Sequence, residues 1–278
     1  MEYRIGAMMS FNTLEGVTER FEKARSIGLN CCQIIMNPAL YTDEAVEIFK
    51  AAREKTGIEF TALWARWTGP SVWNFTDGPL TLGLVPPAYR AMRMNEVLAG
   101  ANFAYKLGIT DVITHVGFLP ENPNDPDYTG TIAALKHICA SIKPRGQYFL
   151  FETGQETPIT VVRAIHDIGT GNVGINFDTA NVILYGKSSA VDSVKIFGKY
   201  VRNLHLKDGN FPTDPYNLGK ETPLGEGSVN VPEVLKLLKE CGYTGPYIME
   251  REISGEKQIE DIIKGRELVL SILKELEE

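Results

Sequence analysis

Several features that would assign this chain to a specialised class are scarce or missing. Basic residues are outnumbered, since 28 Lys and Arg stand against 35 Asp and Glu and leave a net charge of −7. Proteins that bind nucleic acid usually gain most of their affinity from cations placed on phosphates. No apolar stretch approaches the roughly 18 residues that a membrane-spanning helix needs. We therefore expect neither a nucleic acid nor a membrane among its partners.

Cysteine is also scarce, and its spacing matches no known motif. The chain has four cysteines, and none of them is spaced as a CxxC metal or redox site. We expect reduced thiols that pack as small apolar side chains in a reducing compartment. Residues 1–6 lack the basic and then apolar pattern of a signal peptide, so we expect a cytoplasmic protein.

Short apolar runs alternate with longer segments of helical periodicity. The runs are rich in β-branched and aromatic residues, which favours strands buried on both faces. Glycine follows several helical segments, as at Gly28 and Gly57, where it can adopt the left-handed cap. The predicted strands are 3–8, 31–36, 59–65, 111–116, 148–152, 173–178, 201–206 and 246–250. The predicted helices are 14–27, 42–55, 88–107, 130–142, 157–168, 231–241 and 257–276.

Eight strands separated by helices predict an α/β fold, a closed (β/α)₈ TIM barrel that takes residues 1–278 as one domain. A doubly wound open sheet is the alternative. That fold usually carries a glycine-rich phosphate turn, and neither GxGxxG nor GxxxxGK[ST] occurs here. Two long connections, 67–87 and 209–229, follow predicted strands. We expect them to act as lids or binding loops over the catalytic face, with surface decoration as the alternative.

The last four predicted strands each end in, or close to, a side chain that can bind a metal ion: Glu152, Asp178, His205 and Glu250. Carboxyl ends of neighbouring parallel strands lie about 5 Å apart, and inward-pointing side chains converge on the barrel axis. Three carboxylates there would repel one another, and a divalent cation would offset that repulsion. We predict one divalent ion, Mn²⁺ first, with Mg²⁺, Co²⁺ or Zn²⁺ as alternatives. Taken singly, each residue is an ordinary solvated strand end.

Other side chains near the strand ends are candidates for contacts with a substrate. His115 lies two residues after Ile113 and so faces inward, and Lys207 shares the face of His205. Trp64 and Trp67 offer flat surfaces on which a ligand could stack. Each candidate has an ordinary alternative, which is structural hydrogen bonding for the histidine and loop packing for the indoles. Glu226, in the glycine-rich loop, suits either a substrate contact or a loop cap.

The chain resembles the sugar phosphate isomerase/epimerase superfamily, and its second half carries the specific motifs. The stretches that carry the resemblance are FETGQE at 151–156, NFDTAN at 176–181, NLHLKDG at 203–209, PLGEG at 223–227 and IME at 248–250. This superfamily has the xylose-isomerase-like barrel and includes ketose 3-epimerases, hydroxypyruvate isomerases, inosose isomerases and dehydratases, and endonuclease IV. The resemblance covers nearly the whole chain in strand order. It specifies the superfamily better than any one activity.

The resemblance implies that Glu152, Asp178, His205 and Glu250 bind the metal. It also implies that Glu152 and Glu250 form the catalytic acid/base pair of epimerase-type members. Ketose 3-epimerases carry a histidine three residues after the aspartate ligand, where this chain has Asn181, and a second glutamate where it has Pro158, with Glu156 close by. These departures concern positions that contact the substrate.

The sequence therefore favours an isomerase or epimerase of a ketose, a ketose phosphate or a related hydroxyketone, acting through an enediolate. A dehydratase or lyase of a keto-sugar or inosose with the same metal site is the second hypothesis. Phosphodiester hydrolysis of the endonuclease IV type is a third, but that enzyme uses three zinc ions and a larger histidine set, and this chain has four histidines. A non-catalytic sugar-binding barrel is the fourth.

The sequence leaves the charge of the substrate open. A phosphate pocket needs backbone amides, Arg or Lys near the active face, and Arg66, Lys207 and Lys220 are the candidates. By analogy with the superfamily, we expect a homo-oligomer, a dimer or a tetramer.

Overall fold

Residues 3–277 are described by a computed structural model, in which eight parallel strands close into a barrel. This confirms the predicted fold class. The order around the barrel is β1, β10, β7, β6, β5, β4, β3, β2. The barrel strands are β1 Ile5–Phe11, β2 Cys31–Met36, β3 Glu59–Ala65, β4 Asp111–Thr114, β5 Tyr148–Glu152, β6 Val173–Asp178, β7 Val201–Leu206 and β10 Tyr247–Met249. The short strands β8 Asp208–Asn210 and β9 Lys220–Thr222 pair antiparallel in a loop.

Helices connect the strands and cover the outside of the barrel. Several begin at a side chain that accepts a hydrogen bond from a free backbone N–H, as Thr42, Thr157 and Ser189 do. They are α1 Val17–Ser26, α2 Asp43–Thr56, α3 Gly78–Thr81, α4 Pro87–Lys106, α5 Pro126–Ile142, α6 Pro158–Ile168, α7 Asn181–Leu184, α8 Ala190–Phe197, α9 Val231–Glu240 and α10 Glu256–Glu275. None of the helices within residues 3–277 is both long enough and apolar enough to cross a membrane.

Most strands have the predicted bounds, and the differences have local causes. Strand β4 ends at Thr114 instead of residue 116 because the Val116 carbonyl accepts hydrogen bonds from Leu84 and Val85, in the connection between β3 and α4. Strand β1 runs on to Phe11, where it still pairs with β2. The sequence prediction missed helix α8. Its buried positions are spaced as in a helix, but the segment is short.

The interior of the barrel is partly polar. Gln33 on β2 contacts Asn176 on β6 and Asn203 on β7. Strand β2 is a neighbour of neither β6 nor β7, so these side chains meet across the barrel axis. All three are buried. Between the strands and the helices the core is apolar, with Phe11 and Phe21 in ring contact. The polar interior therefore lies beneath the carboxyl ends of the strands.

The thiols fit the expectation only in part. All four cysteines are free, as expected. Cys31, Cys32 and Cys139 are buried, whereas Cys241 is exposed at the end of α9, so it does not pack as an apolar side chain.

One buried arginine organises the long loop between β3 and α4. Arg93 on α4 is 0% exposed, and its guanidinium donates to the backbone carbonyls of Thr68, Pro70, Thr81 and Gly83. A buried cation is costly unless it is hydrogen-bonded, and four carbonyls meet that need here. The loop is therefore held along its length by one side chain.

One buried aspartate organises the second long loop. Asp208 accepts hydrogen bonds from the backbone N–H groups of Gly209, Gly225, Gly227 and Val229. A side chain added at Gly227 would stand 2.2 Å from Asp208 Oδ1, so this position needs glycine. The paired motifs at 203–209 and 223–227 thus have a structural cause.

Candidate metal centre

Four strands bring three carboxylates and one imidazole together at one mouth of the barrel. Glu152 and Asp178 end β5 and β6, His205 lies in β7, and Glu250 directly follows β10. One ligand atom from each lies within 4.8 Å of the others. Asp178 and His205 are 0% exposed and Glu152 is 1% exposed, while the Glu250 side chain is 12% exposed. The structure thus unites the four residues that the sequence singled out.

The free atoms of this cluster fit a divalent cation. His205 Nδ1 lies 2.9 Å from Glu152 Oε1, 3.0 Å from Glu250 Oε2 and 4.0 Å from Asp178 Oδ2. Ligand atoms that surround one ion at about 2.1 Å stand about 3–4 Å apart. Within the described residues, Asp178 Oδ2, His205 Nδ1 and Glu250 Oε2 have no hydrogen-bond partner. Unpaired buried polar atoms are costly, and a shared cation would satisfy all three.

The hydrogen bonds beneath the cluster decide which nitrogen of His205 faces it. His205 Nε2 lies 2.6 Å from Gln33 Oε1. Gln33 Nε2 donates to the carbonyl oxygens of Asn176 and Asn203, at 3.0 and 3.2 Å. The Gln33 oxygen must therefore accept from His205, so Nε2 carries a proton and Nδ1 is the nitrogen that faces the three carboxylates.

Two carboxylates at the ends of this network fix its direction. Asn176 Nδ2 donates to Glu152 Oε2, and Asn203 Nδ2 donates to Asp111 Oδ2 at 2.7 Å. Ionised carboxylates only accept hydrogen bonds, so each asparagine must turn its carbonyl oxygen towards Gln33. Asp111 is in turn paired with Arg202 at 3.0 Å. The orientation of the imidazole thus follows from buried groups on five strands.

The cluster carries more negative charge than its surroundings neutralise. Burial raises the pKa of the Asp178 carboxyl well above its ordinary value. Lys207 opposes this change, and Glu250 and Glu152 add to it. A divalent cation would relieve this repulsion, in agreement with the geometry.

The Lys207 ammonium group lies close to the carboxylates of the site. Its Nζ lies 3.0 Å from Glu252, 3.7 Å from Asp178 and 3.8 Å from Glu250, and it donates to Asn181 Oδ1 at 3.3 Å. Burial lowers the pKa of Lys207, but the carboxylates outweigh burial and raise it well above its ordinary value. Lys207 therefore remains a cation whose charge is already paired.

A cavity of about 600 Å³ opens above the cluster, with Glu152 and Glu250 in its lining. One wall is aromatic, with the rings of Trp64 and Trp67 5.6 Å apart. Such a wall suits the C–H faces of a sugar. The lining residues are Met8, Ile35, Asn37, Trp64, Arg66, Trp67, Ser71, Trp73, His115, Glu152, Asn181, Leu184, Tyr185, Leu218, Glu250 and Glu252.

His115 presents a neutral imidazole in this lining. Burial lowers the pKa of His115 to about 4, although Glu152 and Glu250 oppose the change. Its Nδ1 lies 3.1 Å from Gln155 Oε1, and Gln155 Nε2 donates to the Tyr185 hydroxyl. With Nδ1 donating to Gln155, Nε2 is the ring nitrogen left to accept from a ligand hydroxyl.

The structure does not bring every predicted substrate contact to the cavity. His115, Asn181, Trp64 and Trp67 line it. Lys207, Glu156 and Glu226 are not in the lining: Lys207 is buried beside the cluster, Glu156 is 2% exposed, and Glu226 is exposed in the loop that Asp208 holds.

Sequence reasoning also missed residues of the site. Trp73, Tyr185 and Glu252 reach the cavity from loops, for which no periodicity gives a direction. The sequence did contain a pattern from which Gln33, Asn176 and Asn203 could have been identified as residues of the site. Each is a polar side chain inside an apolar strand, and Asn176 and Asn203 lie two residues before a ligand and so on the same face.

The chain matches the xylose isomerase-like TIM barrel family over residues 21–271. It belongs to that family. A crystal structure of a xylose isomerase domain protein from Planctomyces limnophilus has 30% identity and a TM-score of 0.92, covering 99% of both chains. Among curated proteins, an uncharacterised protein of Methanocaldococcus jannaschii is 26% identical over 182 residues, or 62% of this chain. The match spans 59% of that relative's length.

More distant structures of the family share the fold at lower identity. A xylose isomerase-like TIM barrel protein from Mycobacterium smegmatis, in complex with magnesium, has 18% identity and a TM-score of 0.74 over 99% of this chain and 97% of that one. A D-tagatose 3-epimerase-like protein has 19% identity and a TM-score of 0.73 over 98% of each chain. Sugar epimerases and a probable 3-DHS dehydratase from Bacillus anthracis are also structural neighbours of this chain.

Proposed function

We propose that this protein is a divalent-metal-dependent isomerase or epimerase of a ketose, a ketose phosphate or a related hydroxyketone. The observation that carries the proposal is the convergence of Glu152, Asp178, His205 and Glu250 on one point at the floor of an aromatic-walled cavity. The epimerases among the structural neighbours support the same class of reaction.

Glu152, Asp178, His205 and Glu250 would hold the metal. A divalent cation supplies Lewis acidity that stabilises negative charge developing on adjacent ketone and hydroxyl oxygens. Mn²⁺ is our first choice, with Mg²⁺, Co²⁺ or Zn²⁺ as alternatives. The relative that is in complex with magnesium supports an ion of this hard type.

The two glutamates would move the proton. In the barrel order, β5 and β10 are separated by β6 and β7, so Glu152 and Glu250 are the outer members of the cluster and flank it. One carboxylate takes the proton from the carbon next to the ketone, and the other returns a proton. Two flanking bases allow return from the opposite face, which is what an epimerisation requires.

The cavity residues would orient the substrate. The Trp64 and Trp67 rings pack against its C–H face, and the His115 Nε2 accepts from a hydroxyl group. Asn181, already bonded to Lys207, is available for a second hydroxyl. The same carboxylate pair can expel water from the enediolate, so a dehydratase or lyase is our second candidate, supported by the dehydratase among the neighbours.

Solvent deuterium exchange tests the proposal. Purified protein with Mn²⁺ is incubated in deuterated water with free and phosphorylated ketoses, and the carbon-bound deuterium is followed by NMR. We expect deuterium next to the carbonyl, together with an epimer or an isomer. Failure of every ketose to exchange, in protein shown to bind the ion, would contradict the proposed chemistry.

Glu250→Gln is the informative variant, because the amide keeps the shape but cannot accept the proton. We expect exchange to fall at least about 10²-fold, the range typical of a lost general base. His137→Ala, which alters an exposed histidine on α5, is the matched control and should keep full activity. Full activity of Glu250→Gln would remove that carboxylate from the mechanism.

A further inference from the structure

One cation in the cavity lining has no anionic partner. The Arg66 guanidinium donates to Asn12 Oδ1 and to Ser10 Oγ, both at 3.1 Å, with Asn37 Oδ1 at 3.5 Å. All three acceptors are neutral. Among residues 3–277, no carboxylate lies within 4 Å of Arg66. Arg66 is half-buried, and burial lowers its pKa.

The other candidate cations are already paired or lie elsewhere. Lys207 is surrounded by Asp178, Glu250 and Glu252. Lys220 is exposed on β9 and is not in the cavity lining. Arg251 points away, to Glu221 at 3.0 Å and Asp261 at 2.9 Å. Within the described lining, Arg66 is the one side chain with an uncompensated positive charge.

Arg66 also lies across the mouth of the barrel from most of the metal cluster. It directly follows β3, and its acceptors Ser10 and Asn37 come from β1 and the end of β2. Those three strands are neighbours, and they face the half of the ring that holds β5, β6 and β7. A substrate whose reacting carbons lie at the cluster can therefore reach Arg66 with its other end.

A guanidinium has five N–H donors in a planar fork, and the neutral acceptors engage only two or three of them. The remaining donors and the uncompensated charge match the oxygens of a phosphate ester or a carboxylate. The bonds from Ser10, Asn12 and Asn37 hold the fork in place before a ligand arrives, which reduces the entropy lost on binding.

We propose that Arg66 binds an anionic terminus of the substrate, a phosphate ester or a carboxylate, at the end of the cavity opposite the metal cluster. Arg66 then determines specificity by favouring anionic over neutral ketoses. The inference rests on the proposed function for the identity of the ketose end, but binding at Arg66 is measurable without turnover.

Calorimetric titration of the Mn²⁺-loaded protein tests the inference. The probes are D-fructose, D-fructose 6-phosphate and D-fructuronate, which end in a hydroxyl, a phosphate and a carboxylate. We expect one anionic probe to bind at least about tenfold more tightly than fructose, as a charge-assisted hydrogen bond allows. The phosphate and carboxylate arms identify which anion the site takes. Equal binding of all three probes would overturn the inference.

Arg66→Gln removes the charge and keeps hydrogen-bonding groups. We expect it to abolish the preference for the anionic probe while fructose binding changes less than about twofold. Lys220→Gln removes one positive charge outside the cavity and should behave as the wild type. If Arg66→Gln does not fold, Arg66→Lys keeps the charge without the fork and should weaken the preference partially. A preference that survives in the folded variant would contradict the role of Arg66.

The same samples separate this inference from the proposed function. Deuterium exchange is measured for all probes alongside binding. An Arg66-dependent preference without exchange at carbon would retain the anion site and refute the isomerase chemistry. Deuterium exchange at carbon, together with binding that Arg66→Gln does not change, would retain the isomerase chemistry and refute the anion site.

Discussion

Gln33 shows how one buried amide can decide the chemistry of a neighbour. Its oxygen accepts from His205 Nε2, and its nitrogen donates to Asn176 and Asn203. The imidazole is thereby fixed with Nδ1 facing the three carboxylates of the cluster. Groups that orient a metal ligand in this way are positioning residues, and their loss typically costs about 10–100-fold in metal affinity.

Gln33→Met keeps the size of the side chain and removes both functions of the amide. We expect Mn²⁺ affinity to fall by about 10–100-fold, measured by titration calorimetry. Gln147→Met is a matched control, because Gln147 is also buried but donates to backbone carbonyls away from the cluster. The control should lose stability and keep its metal affinity. Unchanged affinity in the Gln33 variant would show that the network does not orient His205.

Glu156 gives a pH-dependent prediction. Burial raises the pKa of this carboxyl from 4.5 to about 8. Between those values the folded protein keeps the proton, whereas the unfolded chain releases it. A raised pKa therefore favours the fold fully below about pH 4.5, and that contribution is lost as the pH rises towards 8.

Glu156→Gln replaces the protonated form with a neutral group of the same shape. We expect the variant to exceed the wild type in free energy of unfolding at pH 8, by up to a few kcal/mol, and to match it near pH 4.5. Urea denaturation at both pH values measures the difference. Glu226→Gln, at an exposed loop position, should show neither effect. A difference that does not change with pH would refute the titration of Glu156.

At the scale of elements, the two long loops explain why the site was harder to predict than the barrel. The strands carry their direction in alternating side chains, so the inward positions of the metal cluster followed from their spacing. The loop residues that line the cavity have no such period. Their positions depend on Arg93 and Asp208, whose buried bonds to backbone groups cannot be read from the motifs alone.

Arg93→Met tests whether the Arg93 guanidinium holds the loop between β3 and α4 in place. The variant leaves four backbone carbonyls of the loop without their donor. The Gly83 carbonyl is in a buried hydrogen bond, and an unpaired buried group costs about 1–3 kcal/mol. We expect a lower melting temperature and faster amide hydrogen exchange in residues 68–83, together with a higher KM because Trp67 and Trp73 lie in this loop. Arg25→Met, on the exposed face of α1, should leave all three unchanged. If amide hydrogen exchange in residues 68–83 of the Arg93 variant is as slow as in the wild type, Arg93 does not hold this loop in place.

At the scale of the whole molecule, the rhythm of apolar runs predicted the barrel because each strand of a parallel sheet is buried on both faces. Five strands came out with their observed bounds, and four strand ends identified the metal cluster. The positions of the residues that line the cavity depend on contacts between distant segments, such as those of Arg66 with Ser10 and Asn12. No local sequence pattern predicts such contacts. The predicted oligomer and cytoplasmic location remain predictions.

We propose that one divalent ion binds among Glu152, Asp178, His205 and Glu250. Pulsed electron paramagnetic resonance of bound Mn²⁺, after titration to saturation, tests it most directly. We expect one ion per chain and coupling to a single imidazole nitrogen, both lost in His205→Ala. Binding of no ion, or the same nitrogen coupling in His205→Ala, would contradict the account.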